Sequence, residues 1–246
     1  MNGQIQVFAD PAAVAEETAR RFVGIMAQRP GERFSLALSG GSTPQRFYRL
    51  MTTLPWREQI DWGNLHIFLA DERFLPLDHP DSNYRMIRET LIEPLAAAGG
   101  DVVRLPVGNI HPMPSDGTVE DSAIRYESEL KQYFGDNPPC FDLIVLGMGP
   151  DGHTASLFPG HTHPVGPWVL PVHNSPKPPP TRLSLSLEVI NQARHVLFLV
   201  TGHDKAEALS TIRQATKETL PAGTVQLEAG ELVWLVDEAA MGLEKA

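Results

Sequence analysis

The sequence has almost no cysteine, no long apolar run and no excess of positive charge. Its 246 residues include one cysteine, Cys140, so an intrachain disulfide and metal sites built on paired cysteines are both excluded. No stretch approaches the roughly 18 apolar residues of a membrane-spanning helix, and the first residues lack the pattern of a secretory signal. These absences predict a cytoplasmic protein without a membrane partner.

Negative charge exceeds positive charge along the chain. Thirty Asp and Glu stand against 20 Lys and Arg, which gives a formal net charge of −10 with histidine neutral. Proteins that bind the phosphate backbone of nucleic acids generally need clustered Lys and Arg. The charge of this chain therefore argues against nucleic acid as a partner. With 42% apolar residues the chain is expected to fold alone. We expect one domain over residues 1–246 and a monomer, and other oligomeric states stay open.

Short apolar runs alternate with longer amphipathic segments. The apolar runs predict strands at Gln4–Phe8, Phe34–Leu38, Leu65–Ala70, Phe141–Leu146, Val196–Val200 and Leu232–Val236. Helices are predicted at Asp10–Gln28, Pro44–Met51, Asn83–Leu95, Thr118–Phe134 and Asp204–Gln214. Continuous apolar strands separated by helices are typical of parallel sheets. The predicted fold class is therefore α/β, a three-layer sandwich with a mainly parallel, Rossmann-like central sheet covered by helices on both faces.

Proline and histidine mark the less regular parts of the chain. Pro94 is expected to end its helix. The stretch Gly160–Pro180, rich in His, Pro and Gly, is expected to form loops beside the sheet. His161 and His163 could form a pair of metal ligands, but no third ligand lies at a defined spacing from them in the sequence. No metal ion and no cofactor are therefore predicted.

Two glycines and three hydroxyl residues follow the second predicted strand. In Ser39-Gly40-Gly41-Ser42-Thr43 the glycines let the backbone approach a ligand, and either Ser42 or Thr43 could cap the next helix. Backbone N–H groups and the helix dipole would then face the loop, as phosphate binding requires. The alternative is a tight, well-capped turn. The motif matches neither a Walker loop nor a serine-hydrolase elbow.

A carboxylate and a guanidinium follow the third predicted strand. Asp71 and Arg73 come directly after it, and Asn83 stands a few residues further on. In a parallel sheet, ligands bind outside the carboxyl ends of the strands. Arg73 could bind a phosphate with two hydrogen bonds while Asp71 faces a polar substrate. Solvated surface charge is an equally good explanation of these residues at this point.

The fourth predicted strand leads into the most informative segment, Gly147-Met148-Gly149-Pro150-Asp151-Gly152-His153-Thr154. A histidine with an ordinary pKa near 6.5 is the natural general base at neutral pH. An isolated histidine is more often structural. Here Asp151 lies two positions before His153 in a glycine-rich loop at a strand's carboxyl end, which favours catalysis. A short helical piece is predicted at Thr154–Phe158.

Lys205 is predicted in the first turn of a helix, directly after the strand Val196–Val200 and the loop that follows it. A cation at that end is unfavourable for the helix dipole. This position indicates a purpose other than helix stability, such as capture of a phosphate. The alternative is an ordinary solvated lysine.

Taken together, these segments resemble the 6-phosphogluconolactonase family, within a larger group that includes glucosamine-6-phosphate deaminases. The resemblance spans residues 4 to 240, and it is carried by Ser39–Pro44, Asp71–Arg73, Asp78–Tyr84, Gly147–Gly160, Lys177–Leu187 and Thr201–Lys205. The deaminases continue from Asp-Gly-His to an Asn-Glu-Pro whose glutamate assists their histidine. Here those positions read Leu157-Phe158-Pro159, so Phe158 takes the place of that glutamate.

The resemblance implies hydrolysis of 6-phospho-D-glucono-1,5-lactone to 6-phosphogluconate in the oxidative pentose phosphate pathway, with a phosphorylated sugar lactone as the only partner. His153 would act as the base with Asp151 as its support, and Asp71 is the second choice as support or base. The residues that would hold the substrate and its phosphate are Ser39, Gly40, Gly41, Ser42, Thr43, Arg73, Asn83, Arg182 and Lys205. A glucosamine-6-phosphate deaminase and a non-catalytic sugar-phosphate-binding module are the alternatives.

Overall fold

The computed structural model describes residues 2–98, 105–214 and 220–243. The strands are β1 (Gln4–Phe8), β2 (Phe34–Leu38), β3 (Leu65–Leu69), β4 (Asp71–Arg73), β5 (Ile110–His111), β6 (Leu143–Gly147), β7 (Val169–Val172), β8 (Arg182–Leu185), β9 (His195–Val200) and β10 (Glu231–Asp237). The helices are α1 (Pro11–Met26), α2 (Ser42–Met51), α3 (Asn83–Ile87), α4 (Glu93–Ala98), α5 (Val119–Phe134), α6 (Leu187–Asn191), α7 (Ala206–Gln214) and α8 (Pro221–Thr224).

The larger sheet is parallel, with the strand order β1-β10-β9-β6-β2-β3-β5. All five residues of β2 are buried. Because successive side chains of a strand point to opposite faces, this burial means that both faces are covered there. The predicted α/β fold with a mainly parallel central sheet is therefore confirmed.

Side-chain caps explain where two long helices begin. The Asp10 carboxylate accepts hydrogen bonds from the N–H groups of Ala12 and Ala13, both at 2.9 Å, at the start of α1. Thr118 accepts one from the N–H of Asp121 at 3.1 Å at the start of α5. Each cap satisfies donors that the first helical turn leaves without a partner. Among the described residues, no helix has the length and apolar character needed to cross a membrane.

A second sheet is small and antiparallel, with the strand order β4-β8-β7. The expectation of loops throughout Gly160–Pro180 is therefore wrong, because β7 lies inside that stretch. Its residues Val169, Leu170 and Val172 are buried. Pairing with β8, which follows the proline-rich segment, makes this strand, and such a non-local contact leaves no periodic signal in four residues.

Two local expectations also fail. The helix that begins at Asn83 does not end at Pro94, because a wide π-helical turn at Arg88–Ile92 leads into α4. Pro94 then lies inside a continuous helical segment, at the point where the wide turn changes to α4. The expected helical piece Thr154–Phe158 is instead a tight turn in which Leu157 N–H donates to the carbonyl of Thr154 at 2.9 Å.

The topology brings the functional segments to one edge. Since β2, β6, β9 and β3 are parallel and lie side by side, their carboxyl ends meet at the same edge of the sheet. The segments that leave those ends contain the glycine-rich loop after β2, the Asp71 strand, the His153 loop and the Lys205 turn. The small sheet brings Arg182 to the same place through the pairing of β8 with β4.

Candidate active site

A cleft of about 320 Å³ lies at this edge. All of the residues predicted for the site except Asp151 line it, namely Ser39, Gly40, Gly41, Ser42, Thr43, Asp71, Arg73, Asn83, His153, Arg182 and Lys205. Asp151 is hydrogen-bonded to His153. The structure therefore brings together every residue that the sequence nominated. It adds Met148, Lys177 and Pro178, among others, to the lining.

His153 and Asp151 form a close pair. The Nδ1 atom of His153 lies 2.5 Å from Oδ1 of Asp151. Because an ionised carboxylate only accepts hydrogen bonds, this network assigns the proton to Nδ1. The other ring nitrogen, Nε2, is then the basic one. Asp151, rather than Asp71, is thus the carboxylate that orients the imidazole.

The surroundings of the pair set its protonation. Burial lowers the pKa of His153, and the charge of Lys177 adds to this, whereas Asp151 and Asp71 act in the opposite direction. Burial by itself would raise the pKa of Asp151, but the hydrogen bonds and charges of His153 and Lys177 together lower it to about 2. A neutral imidazole next to an ionised carboxylate is the state that a general base needs at neutral pH.

The backbone of the His153 loop is shaped by glycine. A Cβ atom at Gly149 would lie 2.1 Å from both Nδ1 and Cε1 of His153, so the imidazole can fold back over the loop only at a glycine. Gly152 has a φ of +77°, and a Cβ atom there would meet the side chain of Leu220 at 2.5 Å. The carbonyl of Gly152 also accepts a hydrogen bond from the N–H of Ala222 at 2.9 Å. The segment beginning at Leu220 thus packs against the loop.

Phe158 packs against the candidate base. Its ring centroid lies 4.7 Å from that of His153, and the residue is only 1% exposed. The guanidinium of Arg182 stands 5.6 Å from the centroid of the same ring. At the position where the resemblance puts a glutamate in deaminases, the imidazole therefore meets an apolar face. This contact contributes to the burial that lowers the pKa of His153.

The helix start at the glycine-rich loop differs from the expectation. The N-cap of α2 is Gly41, at a φ of +111°, and no side chain within the described residues caps this helix. Neither Ser42 nor Thr43 is the cap, because the glycine's left-handed backbone starts the helix at Ser42. The hydroxyl of Thr43 instead lies 2.8 Å from that of Thr201, at the end of β9. The first N–H groups of α2 are left for a ligand in the cleft.

Glu72, which the sequence did not single out for the site, fixes one wall of the cleft. Its fully buried carboxylate accepts hydrogen bonds from the N–H groups of Arg73, Asn83 and Tyr84, each at 2.7 Å, and from the hydroxyl of Ser82 at 3.0 Å. Burial raises the pKa of Glu72, and these hydrogen bonds oppose that rise. The carboxylate joins β4 to the start of α3 and so holds Asn83 in the cleft.

Asp71 lies deeper in the same wall. It is 5% exposed, and its Oδ2 atom accepts a hydrogen bond from the hydroxyl of Ser156 at 2.8 Å. Asn83 donates from Nδ2 to the backbone carbonyl of Asp71 at 2.9 Å. A Cβ atom at Gly40 would lie 1.8 Å from Oδ1 of Asn83, which explains the glycine at that position. Ser156, like Glu72, is a site residue that the sequence did not nominate.

Two arginines stand opposite each other across the small sheet. Arg73 on β4 pairs in register with Arg182 on β8. Like charges directly opposite destabilise a strand pair, so an anion between them would be favourable. Nη1 of Arg73 donates to the carbonyl of Asp81 at 2.6 Å, and within the described chain its buried Nε atom has no partner. Burial lowers the pKa of Arg182, which is 4% exposed.

Arg182 also holds the segment that precedes it. Its Nε atom donates to the carbonyl of Pro179 at 3.2 Å, and its Nη2 atom donates to those of Lys177 and Pro178 at 3.1 Å each. The sequence predicted Arg182 as a cation near the sugar or phosphate. The geometry adds a second task, because several of its donors are used on the backbone of this proline-rich segment.

Lys205 and Lys177 bring ammonium groups to the cleft from different sides. Lys205 lies in a 3₁₀ turn, His203–Lys205, just before α7, and its Nζ atom is 2.7 Å from the carboxylate of Asp204. Lys177 lies in the proline-rich segment, and its Nζ atom is 3.1 Å from Oδ1 of Asp151. Only the family resemblance drew attention to that segment, since no spacing within the sequence links Lys177 to His153.

Comparisons with known proteins identify the family of the chain. The sequence model described as glucosamine-6-phosphate isomerases/6-phosphogluconolactonase matches residues 9–234. A 6-phosphogluconolactonase from Rattus norvegicus is 39% identical over 250 residues, which cover 98% of this chain and 93% of that protein. One from Synechocystis sp. is 42% identical over 214 residues, which cover 84% and 82%.

Solved structures give the same result. The 6-phosphogluconolactonase from Trypanosoma cruzi superimposes with a TM-score of 0.84 at 27% identity, over 100% of this chain and 98% of that one. The enzyme of that name from Thermotoga maritima gives 0.81 at 29% identity, over 96% and 100%. The chain therefore belongs to the family of glucosamine-6-phosphate isomerases and 6-phosphogluconolactonases.

Proposed function

We propose that the chain hydrolyses 6-phospho-D-glucono-1,5-lactone to 6-phosphogluconate, a reaction of the oxidative pentose phosphate pathway. The observation that carries this proposal is the His153–Asp151 pair, at 2.5 Å, in a cleft that also contains Arg73, Lys205 and the start of α2. The names of the relatives support the same activity. This reaction needs a base that takes a proton from water and a site that binds the phosphate, which is distant from the reacting carbonyl.

His153 activates the water in the first step. As the water oxygen attacks the lactone carbonyl carbon, Nε2 of His153 accepts one of its protons, and the ionised Asp151 stabilises the imidazolium through Nδ1. The carbonyl oxygen takes up negative charge. The tetrahedral intermediate then collapses, the bond from the carbonyl carbon to the ring oxygen breaks, and the imidazolium returns the proton to that oxygen. The product is an open-chain acid with a new hydroxyl group.

Another part of the cleft holds the phosphate in this proposal. The N–H groups at the start of α2, with the helix dipole, favour an anion, and Arg73 and Lys205 add charge-assisted hydrogen bonds. The hydroxyl of Ser39 is buried and has no partner among the described residues, so it can donate to the same group. Gly40, Gly41, Ser42 and Thr43 supply the loop itself, and Asn83 and Arg182 complete the wall.

The contact of Phe158 with His153 favours the lactonase reaction over deamination. A deaminase of the kind that the resemblance describes uses a glutamate beside its histidine, and an apolar ring, 4.7 Å away, stands here instead. Lactone opening needs no second carboxylate at that position, because one base can move the proton to the ring oxygen. The enzyme is proposed to act as a monomer in the cytoplasm, a reducing compartment that suits a chain with a single cysteine.

Lactone opening tests the proposal directly. The lactone is generated in place from glucose 6-phosphate, and acid release is followed with and without the protein. We expect a large acceleration over spontaneous hydrolysis. His153→Ala should lower kcat by about 10²–10⁴-fold, the usual contribution of a positioned base, with little change in KM. His173→Ala is the matched control, because His173 is 53% exposed and bonds to Glu120 outside the cleft.

The outcomes separate the alternatives. No acceleration by a folded protein would reject the lactonase proposal. Ammonia release from glucosamine 6-phosphate would indicate a deaminase instead, and binding of sugar phosphates without turnover of either substrate would indicate a binding module. Full turnover by His153→Ala would keep the activity but reject His153 as its base.

A further inference from the structure

The ammonium group of Lys177 stands at the point where His153 and Asp151 meet. Its Nζ atom lies 3.1 Å from Oδ1 of Asp151 and 3.4 Å from Nδ1 of His153. Because Nδ1 carries its proton toward Asp151, the ammonium cannot donate to that nitrogen. Lys177 and His153 therefore share one carboxylate oxygen as acceptor. This lysine is neither the base nor the carboxylate in the mechanism above.

The backbone that carries Lys177 is held firmly. Arg182 donates to the carbonyls of three successive residues, Lys177 to Pro179. The hydroxyl of Ser175 donates to the carbonyl of Lys177 at 2.9 Å, and the N–H of Ser175 donates to the carbonyl of Pro180 at 2.8 Å. Prolines restrict the remaining backbone freedom. The backbone end of the Lys177 side chain is therefore held in place relative to Asp151. Residues that support a functional group need to be held in this way.

The charges explain what a cation does at this point. A carboxylate beside an imidazole favours the imidazolium form, and an imidazolium has no lone pair with which to take a proton from water. Lys177 neutralises part of the charge of Asp151 and disfavours a second cation next to itself. Asp151 can then orient the ring without protonating it in the resting enzyme.

The other groups that face His153 do not replace this effect. Asp71, from β4, favours the charged imidazole, as Asp151 does. Phe158, from the turn after the His153 loop, contributes burial and no charge. Arg182 stands over the ring of Phe158 rather than in hydrogen-bond contact with the imidazole. Of the lysines in the cleft, Lys177 is the one in contact with the pair, and Lys205 bonds to Asp204.

We propose that Lys177 is a positioning residue of the lactonase reaction: it holds Asp151 on the Nδ1 side of His153 and keeps the imidazole neutral until water is activated. The inference rests on the proposed function, because it assigns a role in that reaction. It concerns the resting state of the base, which can be measured without any substrate.

The test combines an NMR titration with pH–rate profiles. The imidazole signal of His153, assigned by its absence in His153→Ala, is titrated in the wild-type protein, Lys177→Met, Lys177→Arg and Lys205→Met. In Lys177→Met the pKa of His153 should rise, because an opposing positive charge is gone. The acidic limb of kcat/KM should move to higher pH with it. This variant should therefore lose several-fold more activity at pH 6 than at pH 8.

The controls separate this role from general effects of charge in the cleft. Lys177→Arg keeps a cation at the position and should restore the wild-type titration. Lys205→Met removes a cleft cation that does not contact the pair, so it should raise KM and leave the titration of His153 in place. Lys177→Gln serves for the same comparison if Lys177→Met does not fold.

An unchanged titration in Lys177→Met and Lys177→Gln, with a higher KM alone, would overturn the proposal and make Lys177 a substrate ligand. A shift of the same size in Lys205→Met would also overturn it, since any nearby cation would then suffice. Failure of the proposed function has a different signature. In that case the wild-type protein shows no lactone hydrolysis, while the titration of His153 still responds to Lys177.

Discussion

The imidazole of His153 is enclosed by a carboxylate, an ammonium group and an aromatic ring. Asp151 comes from the same loop, Lys177 lies 26 positions after Asp151 along the sequence, and Phe158 belongs to the turn that follows the loop. Each supplies one property: orientation, charge balance and burial. Removing any one of the three should therefore shift the pKa of His153. The shift is upward without Lys177 or Phe158 and downward without Asp151.

Lys205 should act on binding rather than on chemistry. Lys205→Ala is expected to raise KM by roughly ten- to a hundredfold, the equivalent of the about 1.5–3 kcal/mol of a hydrogen bond to a charged group, with kcat close to wild type. Steady-state kinetics with the lactone measures this. Lys131→Ala, which removes a surface lysine bonded to Glu127 on α5, should leave KM as it is.

A fall in kcat without a change in KM for Lys205→Ala would mean that this ammonium contacts the reacting atoms instead of the phosphate. Added inorganic phosphate gives a further check. If Lys205 binds the phosphate group, phosphate should inhibit the variant less strongly than the wild-type enzyme.

Single residues could be nominated from the sequence wherever a local pattern surrounds them. His153 and Asp151 stand among glycines after an apolar strand, and Ser39 to Thr43 combine glycines with hydroxyl groups before a helix. Lys177 and Ser156 have no such setting, because their partners are 26 and 85 positions away. Their contacts depend on the fold, and no spacing in one sequence encodes them.

At the scale of elements, the His153 loop places a ring against its own backbone. Gly149→Ala should lower kcat strongly, because the new methyl group would overlap His153 at 2.1 Å and push the base out of position. Gly147→Ala, in the same segment, meets no atom within 4 Å. It should therefore lower kcat less than Gly149→Ala. Kinetics and thermal unfolding of both variants check this expectation.

Equal kinetic losses in the two glycine variants would contradict it, since the effect would then come from the cleft surface rather than from the contact with His153. A large drop in the unfolding midpoint of Gly149→Ala alone would show that the close packing serves stability more than catalysis.

Long elements with a clear pattern were predictable, and short ones were not. β1 and β2 have the predicted bounds, and α1 and α5 begin within one residue of their predicted starts. β4, β7 and β8 are three or four residues long, and their pairing with one another makes them strands. The helix start at Gly41 could not be distinguished from one capped by Ser42 or Thr43, because the sequence does not reveal a backbone angle.

At the scale of the whole molecule, positive charge is concentrated in one place although the net charge is negative. The chain has a formal net charge of −10, yet Arg73, Arg182, Lys177 and Lys205 all line one cleft. Cations gathered in a concave site focus the field there and attract an anion in spite of the net charge. The composition argues against a nucleic-acid surface, which stays a prediction, and it gave no hint of this local excess of positive charge. The family assignment from the motifs is confirmed, and one domain over residues 1–246 stays a prediction.

A monomer is expected from the sequence, and the mass of the protein in solution tests this expectation. Sedimentation equilibrium should therefore give a mass close to the 27.1 kDa of the chain, and activity per chain should not change on dilution. A larger mass together with activity lost on dilution would show that a second copy is needed to complete or support the cleft.

The order of the strands in the sheet has a consequence for folding during synthesis on the ribosome. β1 is made first, but its neighbour in the sheet is β10, which is made last. While residues 231–237 are still in the exit tunnel, β1 must wait without a partner and β9 has an open edge. The sheet can close only after residues 231–237 have left the tunnel, so a product truncated before them would carry two exposed strand edges that invite aggregation.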